Sequence, residues 1–207
     1  VDGFAREIVT MPERLVIPVP KGVAMRDAAC APVAYSTVQH MLFDNAKLQP
    51  GETILVHAAG SGIGTAAILM AKAIGCTVIT TVGDDNKIEK AKAIGADHVI
   101  NYRKDRFESI TRKLTNKKGV DVVFEHVGGE GFNGSLLVLK RGGRLVTCGS
   151  TAGPTVQLPA TAAQAATAST AAPVETAEPR SQTARATRQP AVTAGPSEPS
   201  DESMLSM

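Results

Sequence analysis

The run Ile54-Leu55-Val56-His57-Ala58-Ala59-Gly60-Ser61-Gly62-Ile63-Gly64, followed by an apolar helical stretch over residues 65–74, leaves few folds open to the chain. Bulky residues that form a buried strand pass through small ones into a helix. A turn of this kind lets the backbone approach a dinucleotide pyrophosphate closely, while the amides that open the helix supply donors and partial positive charge. A lone glycine-rich turn is weak evidence. Its weight here comes from the segments C-terminal to it.

From residue 53 onward the chain repeats one unit. The pattern predicts strands over residues 53–58, 77–82, 98–101, 120–125 and 144–148. Helices are predicted between them over 63–74, 86–94, 107–114 and 131–139. The strand runs are short and rich in Val and Ile, as strands buried on both faces require. Right-handed crossovers through the helices give a parallel sheet with ligand at the carboxyl ends of its strands. The expected fold is therefore α/β, a Rossmann-type doubly wound parallel sheet. Upstream, residues 4–20 alternate apolar and polar side chains and read as a strand leaving a domain whose sheet partners are not in the chain. Residues 25–43 are helical in pattern, with Pro32 interrupting them.

Composition divides the 207 residues unequally. All seven aromatic residues precede Leu158, as does every long apolar run, so the core belongs to the first 158 residues. Over residues 159–207, 32 of the 49 positions are Ala, Thr, Ser or Pro, with no isoleucine and Leu205 as the one leucine. Such a segment cannot bury enough apolar surface to offset about 1–2 kcal/mol per residue of backbone ordering entropy, and it reads as a disordered tail. A short Ala-rich helix over residues 160–172 is the alternative, with no apolar stripe to dock it.

Charge excludes one class of partner. The first 158 residues carry 19 Lys and Arg against 15 Asp and Glu, and the remainder 3 against 5, too little to imply nucleic acid. No run reaches the roughly 18–20 apolar residues of a membrane span, and no signal peptide pattern is visible. Cys30, Cys76 and Cys148 are odd in number and widely spaced, which fits a reducing cytoplasm.

Taken together, four segments resemble the medium-chain dehydrogenase/reductase superfamily. They are residues 51–64, Ala91-Lys92-Ala93-Ile94-Gly95-Ala96-Asp97-His98-Val99-Ile100-Asn101-Tyr102, Gly119-Val120-Asp121-Val122-Val123-Phe124-Glu125 and Gly142-Gly143-Arg144-Leu145-Val146. The chain is most similar to the zinc-independent quinone oxidoreductase branch, over roughly residues 2–158. The resemblance implies three parts: residues 1–22 as the last piece of a chaperonin-like substrate domain, 23–158 as the nucleotide-binding domain, and 159–207 as a tail foreign to the family. It also implies a truncated protein, weak or inactive alone, whose tail reads as an out-of-frame or read-through extension.

The resemblance also assigns a cofactor. Where NAD enzymes place an acid to bond the ribose, this chain has Val82 followed by Gly83. Gly83, Lys87 and Tyr102 would instead surround a 2′-phosphate, which favours NADPH with NADH as the alternative. Asp84 and Asp85 oppose this by placing negative charge nearby. Lys87 alone reads equally well as a solvated helix residue, and Tyr102 as an aromatic covering the sheet edge. The pyrophosphate falls to Gly60, Ser61, Gly62, Ile63 and Gly64. The nicotinamide falls to Thr37, Val127, Cys148, Gly149 and Ser150, while Gly128-Gly129 and Gly142-Gly143 are more simply turns.

No catalytic base is assigned. A zinc site is not expected, because the cysteine ligand of zinc-dependent relatives would align near Val33 and no histidine has a second ligand at metal spacing. Short-chain reductases are excluded as well, since they need a lysine four residues after a tyrosine, where Tyr102 has Arg106 and Tyr35 has Gln39. The implied reaction is hydride transfer from nicotinamide to a quinone or an activated alkene, with a non-catalytic nucleotide-binding remnant as the alternative. The implied partner is a small molecule. The homodimer usual in the family would lack the strand expected after Cys148.

Overall fold

A computed structural model describes residues 8–153. The expected tail over 159–207 and the first residues of the upstream segment lie outside them. Five parallel strands form the sheet: β1 (Thr53–Val56), β2 (Thr77–Val82), β3 (His98–Asn101), β4 (Val120–Glu125) and β5 (Leu139–Thr147). Their spatial order is β3-β2-β1-β4-β5. The chain thus reverses direction across the sheet between β1 and β4, and crevices at such a reversal open at the carboxyl ends.

Both faces are covered, and the strands show how. Ile54, Val56, Val78, Val122 and Phe124 join one buried cluster, while the alternate residues Leu55, Ile79 and Val123 join the other. The period of two sends successive side chains to opposite faces, so an unbroken apolar strand needs helices on both. The first face is covered by α2 (Gly62–Ala73) and α3 (Ile88–Ala93), and α1 (Met25–Val38) packs on α2 and adds Val38 to the cluster at its end. Phe107 of α4 (Phe107–Leu114) packs on the second, and α5 (Gly131–Leu137) leads there into Val138. In α2 the buried residues Ala66, Ala67, Ile68 and Ala71 are mostly small, so the helix axis sits close to the sheet.

Four expectations change. The first strand ends at Val56 rather than Ala58, because Ala58 adopts a left-handed φ of 52° and its carbonyl already accepts the Ser61 amide (3.0 Å). The last strand begins at Leu139 instead of Arg144; it pairs with β4 at both ends through a register shift, and Gly142 (φ 75°) bulges between them. Residues 8–20 contain no strand, only a single helical turn at Glu13–Leu15. Ile8 and Ile17 are 85% and 83% exposed there, and an extended segment with no neighbouring edge has nothing to pair with.

Pro32 does not interrupt its helix. It lies inside α1, which runs on into a π-helical turn, Gln39–Asn45. The stripe Val38, Leu42 and Ala46 is buried at intervals of four, and this packing outweighs the hydrogen bond that Pro32 cannot donate. Pro32→Ala restores that donor on an exposed face. It should raise the urea midpoint by the equivalent of about 1 kcal/mol or more, and a lowered midpoint would show that the helix needs the ring.

Candidate functional site

The turn after β1 is built by its own side chains. Ser61 caps α2: its Oγ accepts the Gly64 amide (2.8 Å) and donates to the Ala58 carbonyl (2.9 Å). Thr65 Oγ1 closes the other side by donating to the Ala59 carbonyl (3.0 Å). A Cβ on Gly64 would stand 2.3 Å from the Ala58 carbonyl oxygen. Only glycine lets strand and helix come this close. The first-turn amides of Gly62 and Ile63 belong to the set that a helix leaves without internal acceptors.

Beside this turn lies a cleft of about 380 Å³. Gly60, Ser61, Gly83, Lys87 and Tyr102 line it, so five sequence candidates from three separate segments meet there. Gly83 is required by Tyr102, whose hydroxyl lies 2.8 Å from where a Cβ would be. Two contributors were missed by the sequence reading. Arg103 also lines the cleft, and its signal was adjacency to Tyr102 at the end of β3; Ala58 does so because the strand stops short of it.

The two opposing acids separate. Asp84 lines the cleft while its Oδ1 accepts the Asn86 amide (3.0 Å). Asp85 turns to Lys104, which pairs with it, and to the Asn101 side-chain amide (2.6 Å); these bonds hold its carboxyl below the usual range. One of the two negative charges is thereby matched by a lysine. A second cleft, about 320 Å³, shares Gly60 and Lys87 and opens between α2 and α3 against Thr65, Lys90 and Ile94.

At the carboxyl ends of β4 and β5 the turns are zipped together. The Cys148 amide donates to the Glu125 carbonyl (3.3 Å) and the Ala152 amide to the Val127 carbonyl (2.7 Å). Val127, Cys148, Gly149 and Ser150 therefore share one edge. Burial raises the Cys148 thiol above its usual value, which makes it a poor nucleophile. Thr37, half-buried in the last turn of α1, is not among the residues that line either cleft.

Beneath the strand ends runs a buried polar chain that the sequence did not disclose. Glu125 is 1% exposed, and its Oε2 accepts the Ser135 hydroxyl (2.6 Å). Ser135 Oγ in turn accepts from His57 Nε2 (2.9 Å), whose Nδ1 meets Thr81 Oγ1 (3.2 Å). Thr81 also accepts the Ala58 amide (3.1 Å), leaving its own proton for His57. Every bond is satisfied by a neutral imidazole with the proton on Nε2. Burial pushes His57 below its ordinary value, against the upward pull of Glu125. Burial pushes Glu125 up, but His57 and the bonds from Ser135, Gly128 and Val127 outweigh it and hold the carboxyl low.

These are the residue types of a hydrolytic triad in the wrong order. Ser135 is 0% exposed and gives its proton to the carboxylate, so no substrate reaches it and no base activates it.

Among the described residues, no three His, Cys, Asp or Glu side chains gather as metal ligands. His57 and His126 are committed to internal bonds, His40 pairs with Asp44, and His98 is an exposed residue opening β3. Nor is any helix among them long and apolar enough to cross a membrane.

Comparison with known proteins supplies the family. A family model described as zinc-binding dehydrogenase matches residues 62–172, more than half of the chain and past Leu158, where the resemblance read from the sequence ends. A 2-haloacrylate reductase of Burkholderia sp is 35% identical over 144 residues, which are 69% of this chain and 43% of that protein. A quinone oxidoreductase of Pseudomonas syringae pv. Tomato DC3000 superposes with TM-score 0.69 at 32% identity, covering 75% of this chain and 48% of that one. Mycobacterial Rv1454c complexed with NADPH superposes with TM-score 0.69 at 34% identity, again over 75% and 48%. The chain spans less than half the length of each. Among the described residues no ligand set fits the zinc of the family's description. The chain belongs to the zinc-binding dehydrogenase family, within the medium-chain dehydrogenase/reductase superfamily whose quinone oxidoreductase branch its motifs resemble.

Proposed function

We propose that this chain is the nucleotide-binding part of an oxidoreductase that binds NADPH along the carboxyl edge of the sheet. The observation that carries the reading is the meeting of Lys87, Arg103, Tyr102 and Gly83 around one cleft beside the Ser61-capped turn. Two cations and a phenol suit a 2′-phosphate, and a guanidinium binds one bidentately. Gly60 through Gly64 would hold the pyrophosphate, and Val127, Cys148, Gly149 and Ser150 would flank the nicotinamide. Thr37 would complete that end.

Bound NADPH supplies hydride. The chain's own residues bind and orient, and the acceptor is a quinone or an electron-poor alkene, in keeping with relatives named as a quinone oxidoreductase and a 2-haloacrylate reductase. The complex of Rv1454c with NADPH supports a nicotinamide dinucleotide at this edge, and the cations at the cleft favour NADPH over NADH. A reducing cytoplasm suits three free thiols.

Titration of the full chain with NADPH and NADH, followed by binding heat, tests the reading. NADPH should bind more tightly, and Lys87→Glu should weaken it by about tenfold or more while leaving NADH unchanged, as loss of a charge-assisted contact requires. Equal binding of both nucleotides, indifferent to Lys87→Glu, would overturn the 2′-phosphate assignment.

A second reading, a dinucleotide-binding protein without turnover, is favoured by one observation: the titratable groups around the β4 and β5 edge are buried or inert. Glu125 and His57 are sealed, and Cys148 is held as a thiol. Oxidation of NADPH in the presence of quinones or enones distinguishes the two.

A further inference from the structure

The buried carboxylate of Glu125 has no role in the proposed cofactor site, yet three donors from two elements converge on it. Its Oε1 accepts the amides of Val127 (2.7 Å) and Gly128 (3.1 Å), and its Oε2 accepts the Ser135 hydroxyl from α5. The strand-end turn is thus tied to a helix by one side chain. His126, between the bonded residues, donates from Nε2 to the His57 carbonyl at the end of β1 (2.8 Å). The loop is held on both sides.

What that turn presents is the candidate nicotinamide edge. Gly128 and Gly129 take φ of 68° and 63°, and a side chain at Gly128 would meet Ser150 at 3.0 Å. The Ala152 amide completes the zip to Val127. Placing a carboxylate here is costly, since a buried charge gives up its hydration. A side chain of this length ending in two acceptors satisfies both amides and the hydroxyl at once.

We propose that Glu125 is a positioning residue, setting the Val127–Gly128 turn in the shape that receives the nicotinamide. The assignment rests on the proposed binding of NADPH, and it makes a separate claim: Glu125 governs the nicotinamide end of the site and leaves the adenosine end, around Lys87 and Tyr102, untouched.

The test compares two probes on the full chain by binding heat, NADPH and 2′-phospho-ADP-ribose, which is the same molecule without its nicotinamide. The wild type should prefer NADPH by about tenfold. Glu125→Ala should abolish that preference while binding the fragment as the wild type does. Glu125→Gln should restore it, because an amide oxygen still accepts both backbone N–H groups, while the amide nitrogen donates to Ser135 Oγ, whose own hydrogen turns to the Gly131 carbonyl (3.4 Å). Should Glu125→Ala fail to fold, Glu125→Asp serves in its place; one methylene shorter, it cannot span both amides and Ser135.

A preference that survives in the shortened variants overturns the proposal. So does a parallel loss of both probes, the mark of a merely structural role, and so does a preference that Gln fails to restore. A wild type that binds the fragment and NADPH equally removes the nicotinamide edge and this assignment with it, while one that binds neither removes the cofactor reading itself.

Discussion

Gly64→Ala should destabilise the fold by about 3 kcal/mol and abolish nucleotide binding, the upper range for forcing atoms into a packed site. The added methyl would stand 2.3 Å from the Ala58 carbonyl oxygen and 2.9 Å from Ser61 Oγ. Neither neighbour can yield cheaply. The Ala58 carbonyl accepts both the Ser61 amide and the Ser61 hydroxyl, and Ala58 already sits at φ 52°, a conformation that costs an L residue about 1–2 kcal/mol. Ser61 Oγ is the cap of α2. Relieving the clash therefore opens the turn, and with it the backbone that would face the pyrophosphate. Urea unfolding and NADPH binding heat, measured on the same preparation, check both halves. An unmoved midpoint with binding retained would show that strand and helix are not held this close.

Stability should fall as pH drops from 7.5 toward 5.5, and His57 is the cause. Its folded value lies below the ordinary 6.5, so in this window the unfolded chain binds a proton that the folded chain refuses. For a group whose folded value is depressed, stability is present above the unfolded value and is lost as pH falls through it. The slope can reach about 1.4 kcal/mol per pH unit for one proton. Burial sets the direction, His126 adds to it, and Glu125 and Glu108 oppose it without reversing it. Protonation would also put a second donor on Nδ1 against Thr81, which already offers its own hydrogen. Glu125 acts lower, since its depressed value makes its contribution vanish only as pH falls through the folded carboxylate range. Urea midpoints at pH 7.5, 6.5 and 5.5 for the wild type and His57→Gln decide the matter. The wild type should lose stability across the series and the variant should not; a flat wild-type series would mean that His57 takes up its proton as readily in the fold as in the unfolded chain.

Much of this architecture was legible in the chain. The four-residue strand His98–Asn101 and the helix Phe107–Leu114 fall where Val and Ile runs and amphipathic spacing put them, because each pattern needs only its own residues to satisfy a face. Gly60 to Gly64 announced their turn for the same reason. Gly83, Lys87 and Tyr102 were linked only by resemblance, being separated by several elements. Arg103 and the left-handed Ala58 were missed, since neither residue type is unusual where it stands.

The limits of local pattern appear where a residue's meaning depends on a distant partner. The upstream segment has the alternation of a strand, yet residues 8–20 form none, because a strand exists only beside an edge. Pro32 is a helix breaker by type, yet it sits within α1, because Val38 and Leu42 are buried on the sheet. Glu125 reads as the polar end of an apolar strand. Three-dimensional packing makes it the point where β4, α5 and the Val127–Gly128 turn are joined. Periodicity and small-residue turns, being local, determined the strands, the helices and the phosphate-type turn from sequence alone. Tertiary structure decided the polar chain from Thr81 through His57 and Ser135 to Glu125, because a buried hydrogen bond is defined by two partners and sequence displays them one at a time.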